Sequence, residues 1–261
     1  MDTIYSNNEK IACTIKEVTP EAVKFIYPNE DVMNSVYKNT VQKIVFKSGR
    51  TQVFAESTYF KTVNNVDDYE NVSLSHVNTE VQGLYKIGEV GAKARGTTTF
   101  ANMEKVKERA ERKVKIQAAM MGANVIYLTQ FGTSENRVGN RYTTGQATAT
   151  NISGEAYCNK LPSYDGFMNL MNSKMKFLLH DYEVDKLATG DYEYSKYADS
   201  GKVMITKITN DNGFIMVEAT VDGFPNSSFR VVYYSNSEII LECTDNDDIL
   251  ENSIYNIRVR F

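Results

Sequence analysis

One stretch of the chain, residues 102–131, constrains the fold more than any other. It reads as a long amphipathic helix, a glycine stop and a strand that begins at once. Most other segments look like short strands, so this helix is expected to be what one sheet packs against. Apolar residues recur in the helix at intervals of three and four, which predicts one continuous buried stripe. They are Met103, Val106, Ala110, Val114, Ala118 and Met121.

Both ends of the predicted helix carry signals. Thr99 or Asn102 is the expected N-cap, because either side chain can accept a hydrogen bond from a free backbone N–H of the first turn. Gly122 fits the left-handed position after a helix C-terminus, which only glycine adopts cheaply. Residues 123–131 follow as an apolar strand, for which we expect burial on both faces. The joint therefore predicts a βαβ-like unit with the helix laid across its sheet.

The rest of the chain divides into segments by strand periodicity and turn signals. We predict an N-terminal β-meander module over 1–56, a connection over 57–80, and a central β-α-β-β module over 81–158. A connection with a short helix follows over 159–190, and a five-stranded antiparallel, barrel-like module over 191–261. The predicted fold class is α+β.

Several smaller patterns support this division. Ile11, Cys13 and Ile15 alternate with polar residues, as in a half-buried strand. The glycines at 83, 88 and 91 indicate bulges, and their spacing matches no phosphate-binding loop. The predicted short helix has Phe167, Leu170, Met171 and Met175 on its apolar face, and two hairpin turns are expected at Asn212-Gly213 and Asp222-Gly223.

Composition and charge exclude some classes of protein. Hydrophobic residues make up 42 % of the chain and charged residues 24 %, which is typical of a folded protein rather than a disordered or fibrous one. No run of about eighteen apolar residues is present, so we predict no transmembrane segment. Residues 181–261 carry about eight more acidic than basic residues. We therefore predict no nucleic-acid partner, and interpret the basic face of the central helix as solvated and ion-paired; an anionic partner for that face is the alternative.

Cys13, Cys158 and Cys243 lie far apart and have no metal-type spacing. We expect them to be small buried apolar residues. One disulfide with a free thiol left over is the alternative in an oxidising compartment.

A search for chemistry finds no catalytic constellation. His76 and His180 are both placed in connecting segments, with no neighbouring nucleophile pattern. The acidic stretch Asp245, Asp247, Asp248 and Glu251 lacks the glycine and register of a calcium loop, and is expected to be a solvated loop. Tyr192, Tyr194 and Tyr197 form the densest tyrosine cluster, which suits either packing or a carbohydrate-stacking platform. We therefore predict no catalytic, cofactor-binding or metal-binding residue, and leave the binding residues undefined.

The first fifth of the chain resembles the N-terminal module common in exported proteins of Bacteroidetes. The pattern is a short strand with an aspartate, a strand ending E-V-T-P, and a later V-x-K-I-V-F-K-S-G hairpin. The residues that carry it are Asp2, Ile4, Glu9, Ile11, Ile15, Glu17, Val18, Val23, Lys24, Ile44, Phe46 and Gly49.

The central region, 81–158, is similar to a second group, the small α+β domain of the outer-membrane lipoprotein of the Rcs stress-sensing system. The YbjQ-type, heavy-metal-binding-like family shares the same helix ending. The match is carried by Ala118, Ala119, Gly122, Ala123, Asn124, Val125, Leu128, Gly154, Glu155 and Ala156. The stress sensor's cysteines are absent here apart from Cys158, and no Cys/His ligand cluster is present, so neither its disulfides nor a metal site carries over.

Both resemblances imply an envelope protein. The leading hypothesis is a non-enzymatic, exported protein of the periplasm or outer-membrane surface that binds or senses a small ligand or an envelope protein, with its signal peptide absent from this sequence. One alternative is an assembly module that forms homo-oligomers by pairing the Thr/Ala-rich strand Thr143–Thr150. The other is a hydrolase whose site is assembled between modules.

Overall fold

The computed structural model describes residues 1–6, 9–54, 61–98, 100–142, 144–174, 178–188, 194–245 and 253–260. These residues form three sheets and two α-helices, which confirms the α+β class. Neither of the described helices is long and apolar enough to cross a membrane.

The N-terminal sheet has six strands, more than the four or five predicted: β1 (Asp2–Ser6), β2 (Glu9–Val18), β3 (Ala22–Ile26), β4 (Asn34–Tyr37), β5 (Val41–Val45) and β6 (Thr51–Val53). Their spatial order is β4-β3-β2-β1-β5-β6, so the first four form a meander and the β5–β6 hairpin returns to the other side of β1. Strand β4 begins at the end of the polar stretch that follows β3. The core of this sheet includes Ile4, Cys13, Val23, Phe25 and Ile44.

The central unit contains β7 (Ser73–Ser75), β8 (Tyr85–Arg95), α1 (Met103–Met120), β9 (Val125–Ser134) and β10 (Ala149–Cys158). The sheet order is β7-β9-β10-β8, and β10 runs antiparallel to both of its neighbours. Strands β8 and β9 are therefore parallel, and the unit is a βαβ crossover with β10 inserted between its two strands. From the sequence we expect one short strand within the connection 57–80, near Val72–Val77, and β7 lies there, paired with β9. The same segment contains two short 3-10 helices, Val66–Asn71 and Asn78–Glu80.

Helix α1 packs across this sheet as its sequence predicts. Val106, Ala110, Val114 and Ala118 are buried in the cluster that it shares with the strands. Asn102 is the N-cap, with its side-chain oxygen accepting from Lys105 N at 3.1 Å. The other candidate cap, at 99, lies outside the described residues. Met103 is 47 % exposed, so the buried stripe begins one turn later than predicted.

Strand β9 is buried only in its first half. Val125, Ile126 and Leu128 are buried, whereas the side chains from Thr129 to Gly132 are exposed. The prediction of burial on both faces along the whole strand is therefore wrong, because the sheet and helix cover only the part of β9 near the α1 C-terminus.

The long strand β8 is an edge strand, and helix α1 satisfies part of its free edge. Gln117, which is buried, accepts from Gly91 N through Oε1 at 2.8 Å. One turn from the other end of the helix, Arg109 donates to Arg95 O at 3.0 Å. A free strand edge otherwise invites pairing with another chain, so these contacts protect the sheet.

The last sheet closes into a barrel of six antiparallel strands: β11 (Leu178–Ala188), β12 (Tyr194–Asp211), β13 (Phe214–Val221), β14 (Ser228–Tyr234), β15 (Glu238–Asp245) and β16 (Ser253–Arg260). Each strand pairs with the next, and β16 pairs with β11. The prediction of five strands is corrected by β11, which lies within the segment 159–190 that was interpreted as a connection.

Helix α2 (Tyr164–Lys174) belongs to the barrel. Phe167, Leu170 and Met171 are buried in the same hydrophobic cluster as the inward side chains of the strands. The predicted short helix is therefore present with the predicted apolar face, although Met175 lies outside the described residues.

The barrel and the central unit share a small apolar cluster. It joins Ile116 and Met120 of α1 to Leu187 and Ile254 of the barrel, with Val66 at its edge. The C-terminal half of α1 is thus buried on two sides. The sequence carries a signal for this, because every residue of the last turn of α1 except Gln117 is apolar, as in a fully buried helix.

A cluster of charged side chains around the buried Arg258 lies beside this shared apolar cluster. The side chain of Arg258 is 8 % exposed and approaches Asp67 and Glu183, each at 3.5 Å, and Asp185 at 3.8 Å. Arg258, on the outward face of β16, therefore places a positive charge in the contact between the barrel and the central unit.

Candidate functional site

A cleft of about 860 Å³ opens where the N-terminal sheet, the central unit and the barrel meet. A volume of this size is in the range of small-molecule sites in proteins. The N-terminal sheet lines it with residues 39–43 and Val53; the central unit with 62–64, Ile87, Met121, Gly122 and Asn124, followed by 158–163; and the barrel with Phe214, Ile215 and 230–234.

The joint at the end of α1 forms the floor of the cleft. Gly122 has φ +72°, its N–H donates to Ala119 O at 2.9 Å, and Ala123 N donates to Ala118 O at 2.9 Å. This pair of bonds is the Schellman ending of a helix, which the sequence predicted from the glycine. A Cβ added to Gly122 would lie 2.8 Å from Val232 Cγ1 of the barrel. The position therefore requires glycine both for its backbone angle and for the close approach of the barrel.

Asn124 lies next to this joint and is almost fully buried, at 3 % exposure. Its backbone joins two strands, since its N–H donates to Tyr157 O at 2.9 Å and its carbonyl accepts from Ser73 N at 3.0 Å. The side-chain Nδ2 donates to Asn159 Oδ1 at 2.7 Å and to Lys61 O at 3.3 Å. Its Oδ1, in contrast, accepts no hydrogen bond from any described residue. A buried acceptor without a donor costs about 1–3 kcal/mol. The atom has almost no accessible surface, so it lies behind the surface of the cleft rather than on it.

Arg230 crosses the cleft wall from the barrel to the central unit. Its Nε donates to Glu242 Oε2 at 3.0 Å, and its Nη2 donates to Met121 O, just past the end of α1, at 2.9 Å. The side chains of Arg230 and Glu242 are only 14 % and 11 % exposed. The negative end of the helix dipole also stabilises a cation at this place. The guanidinium is already charge-matched, and its role here is to hold the barrel against the central unit.

The N-terminal sheet is fastened to the cleft by Asn39. Its Nδ2 donates to the backbone carbonyls of Glu80 at 3.0 Å and Gln82 at 2.9 Å. The side-chain amide thereby closes the third side of the cleft.

Cys158 lines the cleft as a thiol rather than as a nucleophile. Burial raises the pKa of the Cys158 thiol, although a hydrogen bond with Lys160 and the charge of Arg230 oppose the shift. Its Sγ donates to Lys160 O at 2.8 Å. Burial, together with the nearby charge of Asp2, likewise raises the pKa of Cys13 to about 11. All three cysteines are buried and none of them forms a disulfide, which confirms the expectation of small buried residues.

The structure does not gather the histidines and tyrosines singled out in the sequence at this cleft. His76 is exposed and lies 6.4 Å from the ring of Phe131. His180 lies on β11 rather than in a connection, which corrects its predicted place; its side chain lies outside the described residues, as do those of Tyr194 and Tyr197 and the whole of Tyr192. Most of the acidic stretch, Asp247, Asp248 and Glu251, also lies outside them.

Other sequence patterns have definite outcomes. The bulge prediction is confirmed at Gly88, beside which the register of β8 with β10 shifts, but not at Gly91, which pairs in register with Ser153, or at Gly83, which lies in a turn before β8 with φ +78°. The Asn212-Gly213 turn has the expected positive φ at both residues, and Gly223 has it in the second turn. On the charged face of α1, Lys107 and Glu111 form an ion pair at 3.8 Å.

The Thr/Ala-rich segment has little free edge for pairing between chains. Ala149 and Thr150 open β10, whose residues 149–157 pair with both β8 and β9. Thr148, just before it, is buried and donates to Asn136 Oδ1 at 2.7 Å. Residue 143 lies outside the described residues.

The cleft residues were not predicted from the sequence. The exception is the Gly122-Ala123-Asn124 joint, which was singled out for its resemblance and not for a site. The remaining lining residues are distant in sequence and meet only because three units pack together. Comparisons of the chain with protein-family models, with curated proteins and with solved structures give no match.

Proposed function

We propose that this chain is a non-enzymatic, exported binding protein of the bacterial envelope, and that its cleft binds a small, uncharged, hydroxyl-rich molecule such as a short oligosaccharide. The observation that carries the proposal is the lining of the cleft, in which Asn124 and four other side-chain amides lie beside aromatic rings.

The chemistry of the lining favours such a ligand. Five side-chain amides line the cleft, and each amide both donates and accepts, as sugar hydroxyls do. The rings of Tyr233, Tyr234 and Phe214 provide apolar faces for the carbon skeleton of a sugar. The five amides belong to Asn39, Gln42, Asn64, Asn124 and Asn159.

The charge balance argues against an ionic ligand. The buried cation of the wall, Arg230, is matched by Glu242. The other two cations of the described lining, Lys43 and Lys160, are exposed to solvent, and the amine of Lys43 lies 4.6 Å from the centre of the Tyr5 ring. An anionic ligand would need a free, desolvated cation to offset its own dehydration.

The described lining also favours binding over hydrolysis. Of the described residues that line the cleft, none is an aspartate, glutamate or histidine. General acid–base catalysis most often uses these side chains. A hydrolase assembled between the three units would place its groups here, so the observation supports the binding proposal against that alternative.

Export is supported by the two resemblances to envelope proteins. The test is to express the natural gene in its host with a C-terminal epitope and to fractionate the cells. We expect the protein with the periplasmic or outer-membrane marker. Co-fractionation with a cytoplasmic marker would refute export and leave the cleft proposal standing.

The ligand class is tested by calorimetric titration with maltotriose, cellotriose and chitotriose, and with trigalacturonate as the charged counterpart. We expect at least one neutral trisaccharide to bind and the acidic one to bind more weakly. Asn64→Ala and Tyr233→Ala change cleft side chains and are expected to weaken binding at least about tenfold, which is roughly 1.4 kcal/mol.

Tyr85→Ala is the matched control, because Tyr85 is 44 % exposed on β8 and does not line the cleft. Its binding should equal that of the wild type. Failure of all the neutral probes to bind, or equal binding by the cleft variants, would show that this ligand class is wrong.

A further inference from the structure

The end of the central unit farthest from the cleft exposes a group of apolar side chains. We call this end the distal tip; it consists of the described residues of the loop before α1, the first turn of α1 and the loop between β9 and β10. Single exposed apolar residues are ordinary on protein surfaces, but several together mark an interaction site. The exposed fractions are 84 % for Phe100, 47 % for Met103, 68 % for Val138 and 89 % for Tyr142.

Direct contacts hold the two loops of the distal tip together. Asn136 Nδ2 donates to Ala101 O at 2.9 Å, and Asn136 Oδ1 accepts from Thr148 N at 2.7 Å. Across the second loop, Arg137 and Gln146 exchange two backbone hydrogen bonds, each of 2.7 Å. The apolar side chains of both loops are therefore presented at one end of the unit.

Basic residues surround these apolar side chains. Residues 93–141 contain ten lysines and arginines and four glutamates, whereas the whole chain has a formal net charge of −4. The exposed charged residues of the tip are Lys105, Arg137 and Arg141 with Glu104 and Glu135, and Arg95, Arg109 and Glu108 are exposed next to it. The tip thus carries net positive charge, while the rest of the molecule is acidic.

We propose that the distal tip docks on the surface of a lipid bilayer that contains anionic lipids. Exposed apolar side chains flanked by arginine and lysine are the combination that binds such interfaces. Phe100, Val138 and Tyr142 would enter the headgroup region, and the arginines beside them would contact the anionic headgroups. The acidic remainder of the chain is repelled by the same surface, so the charge asymmetry orients the molecule with its tip toward the bilayer.

A nucleic acid fits the tip less well, although it is also anionic. Binding of single strands relies on bases stacking on aromatic side chains within a basic groove. Met103 and Val138 are aliphatic and offer no surface on which a base can stack, but the transfer of their side chains from water to an apolar phase is favourable.

The tip and the cleft lie at opposite ends of α1. The helix has 18 residues, which corresponds to about 27 Å at 1.5 Å per residue. A molecule docked by its tip would therefore hold the cleft away from the bilayer. The docking proposal is independent of the ligand proposed for the cleft.

Co-sedimentation with vesicles tests the docking. We expect the wild-type protein to bind vesicles of phosphatidylcholine mixed with phosphatidylglycerol, to bind pure phosphatidylcholine more weakly, and to lose affinity as salt is added. The double variants Phe100→Ser/Val138→Ser and Arg137→Glu/Arg141→Glu should each lower the affinity at least about tenfold. The matched control is Val32→Ser/Met33→Ser, because Val32 and Met33 are 65 % and 55 % exposed in the loop between β3 and β4 of the N-terminal sheet; its binding should be unchanged.

A fluorescence measurement locates the contact. The chain contains no tryptophan, so Tyr142→Trp creates a single probe at the tip. Its emission should shift to shorter wavelength when mixed vesicles are added, whereas Tyr85→Trp at the other end of the unit should not shift. The proposal is overturned if the wild type does not bind mixed vesicles, if the tip variants bind like the control, or if duplex DNA displaces the protein from the vesicles.

Discussion

Replacing Gly122 by alanine tests whether the packing of the α1 end against the barrel requires a residue without a side chain at this position. The residue has φ +72°, and its added Cβ would lie 2.8 Å from Val232 Cγ1. Two separate costs are therefore expected, one from the backbone angle and one from the contact between the central unit and the barrel. The contact lies on the cleft floor, so it matters for the site as well as for stability.

The two costs can be separated by matched variants. A non-glycine residue in the left-handed region costs about 1–2 kcal/mol. Gly49→Ala and Gly223→Ala carry only that cost, because Gly49 has φ +82° with no atom within 4 Å of the added Cβ, and Gly223 has φ +83° with its nearest atom at 3.6 Å. Gly122→Ala adds an overpacking cost of about 1–3 kcal/mol. Its total should be about 2–5 kcal/mol.

A double-mutant cycle with Val232→Ala isolates the contact. Removing Val232 Cγ1 leaves Val232 Cβ and the Val232 carbonyl oxygen as the next atoms, both at 3.8 Å, which is ordinary van der Waals contact. Urea unfolding, followed by far-ultraviolet circular dichroism, gives the free energy of each variant. The double variant should be about 1–3 kcal/mol more stable than the sum of the single effects predicts. A coupling of zero, or a cost for Gly122→Ala equal to that of the two control glycine variants, would refute this account of the joint.

Two further predictions concern the central sheet. Gln117→Leu removes the acceptor for Gly91 N at the free edge of β8 and should cost about 1–3 kcal/mol in urea unfolding; an unchanged free energy of unfolding would contradict the role of the hydrogen bond. Burial, and then the hydrogen bond to Glu155 and its charge, raise the pKa of Tyr157 to about 12, so the stability that this shift contributes is present below about pH 10 and is lost as the pH rises to 12. In Glu155→Gln the pKa of Tyr157, measured by NMR with ¹³Cζ-labelled tyrosine, should fall but stay above 10 because the burial remains; an unchanged pKa would show that Glu155 does not act on it.

The sequence was most informative where one local pattern decides the structure. Asn102 and Gly122 define the ends of α1 through hydrogen bonds and a backbone angle that involve only near neighbours, so both were predictable. The same holds for the Asn212-Gly213 turn, which needs two positive φ angles. Local chemistry of this kind does not depend on which other units the chain packs against.

Strand β11 was missed for the opposite reason. Tyr182 and Val184 face the barrel core, but Glu183 and Asp185 alternate with them and resemble a solvated loop. The charge is tolerated because Arg258, far along the chain, approaches both carboxylates at the contact with the central unit. The alternation of Tyr182 and Val184 with the two carboxylates is itself a strand pattern, but only the tertiary contact with Arg258 explains how the buried Asp185 is tolerated.

The cleft could not be predicted from the sequence, because its walls come from three units that are separate in the chain. What was predictable is its floor, because the short joint after α1 must place Asn124 one residue beyond the helix ending. The Gly122-Ala123-Asn124 joint determines two features of the cleft floor. The close approach of Val232 at Gly122 brings the barrel against the helix end, and the turn that follows buries the Asn124 side chain beside it.

The two ends of α1 differ in a way that links the proposals. At the C-terminal end, Ile116 and Met120 are buried against the barrel, so the helix has almost no free surface there. At the N-terminal end, Met103 is exposed and the covering sheet has ended, because β9 is exposed from Thr129 onward. The fold therefore does not need hydrophobic side chains at that end, and their exposure to water contributes no stability. A function at the distal tip accounts for their presence. If Phe100→Ser/Val138→Ser unfolds at the same urea concentration as the wild type yet no longer binds vesicles, those side chains serve an interface rather than the core.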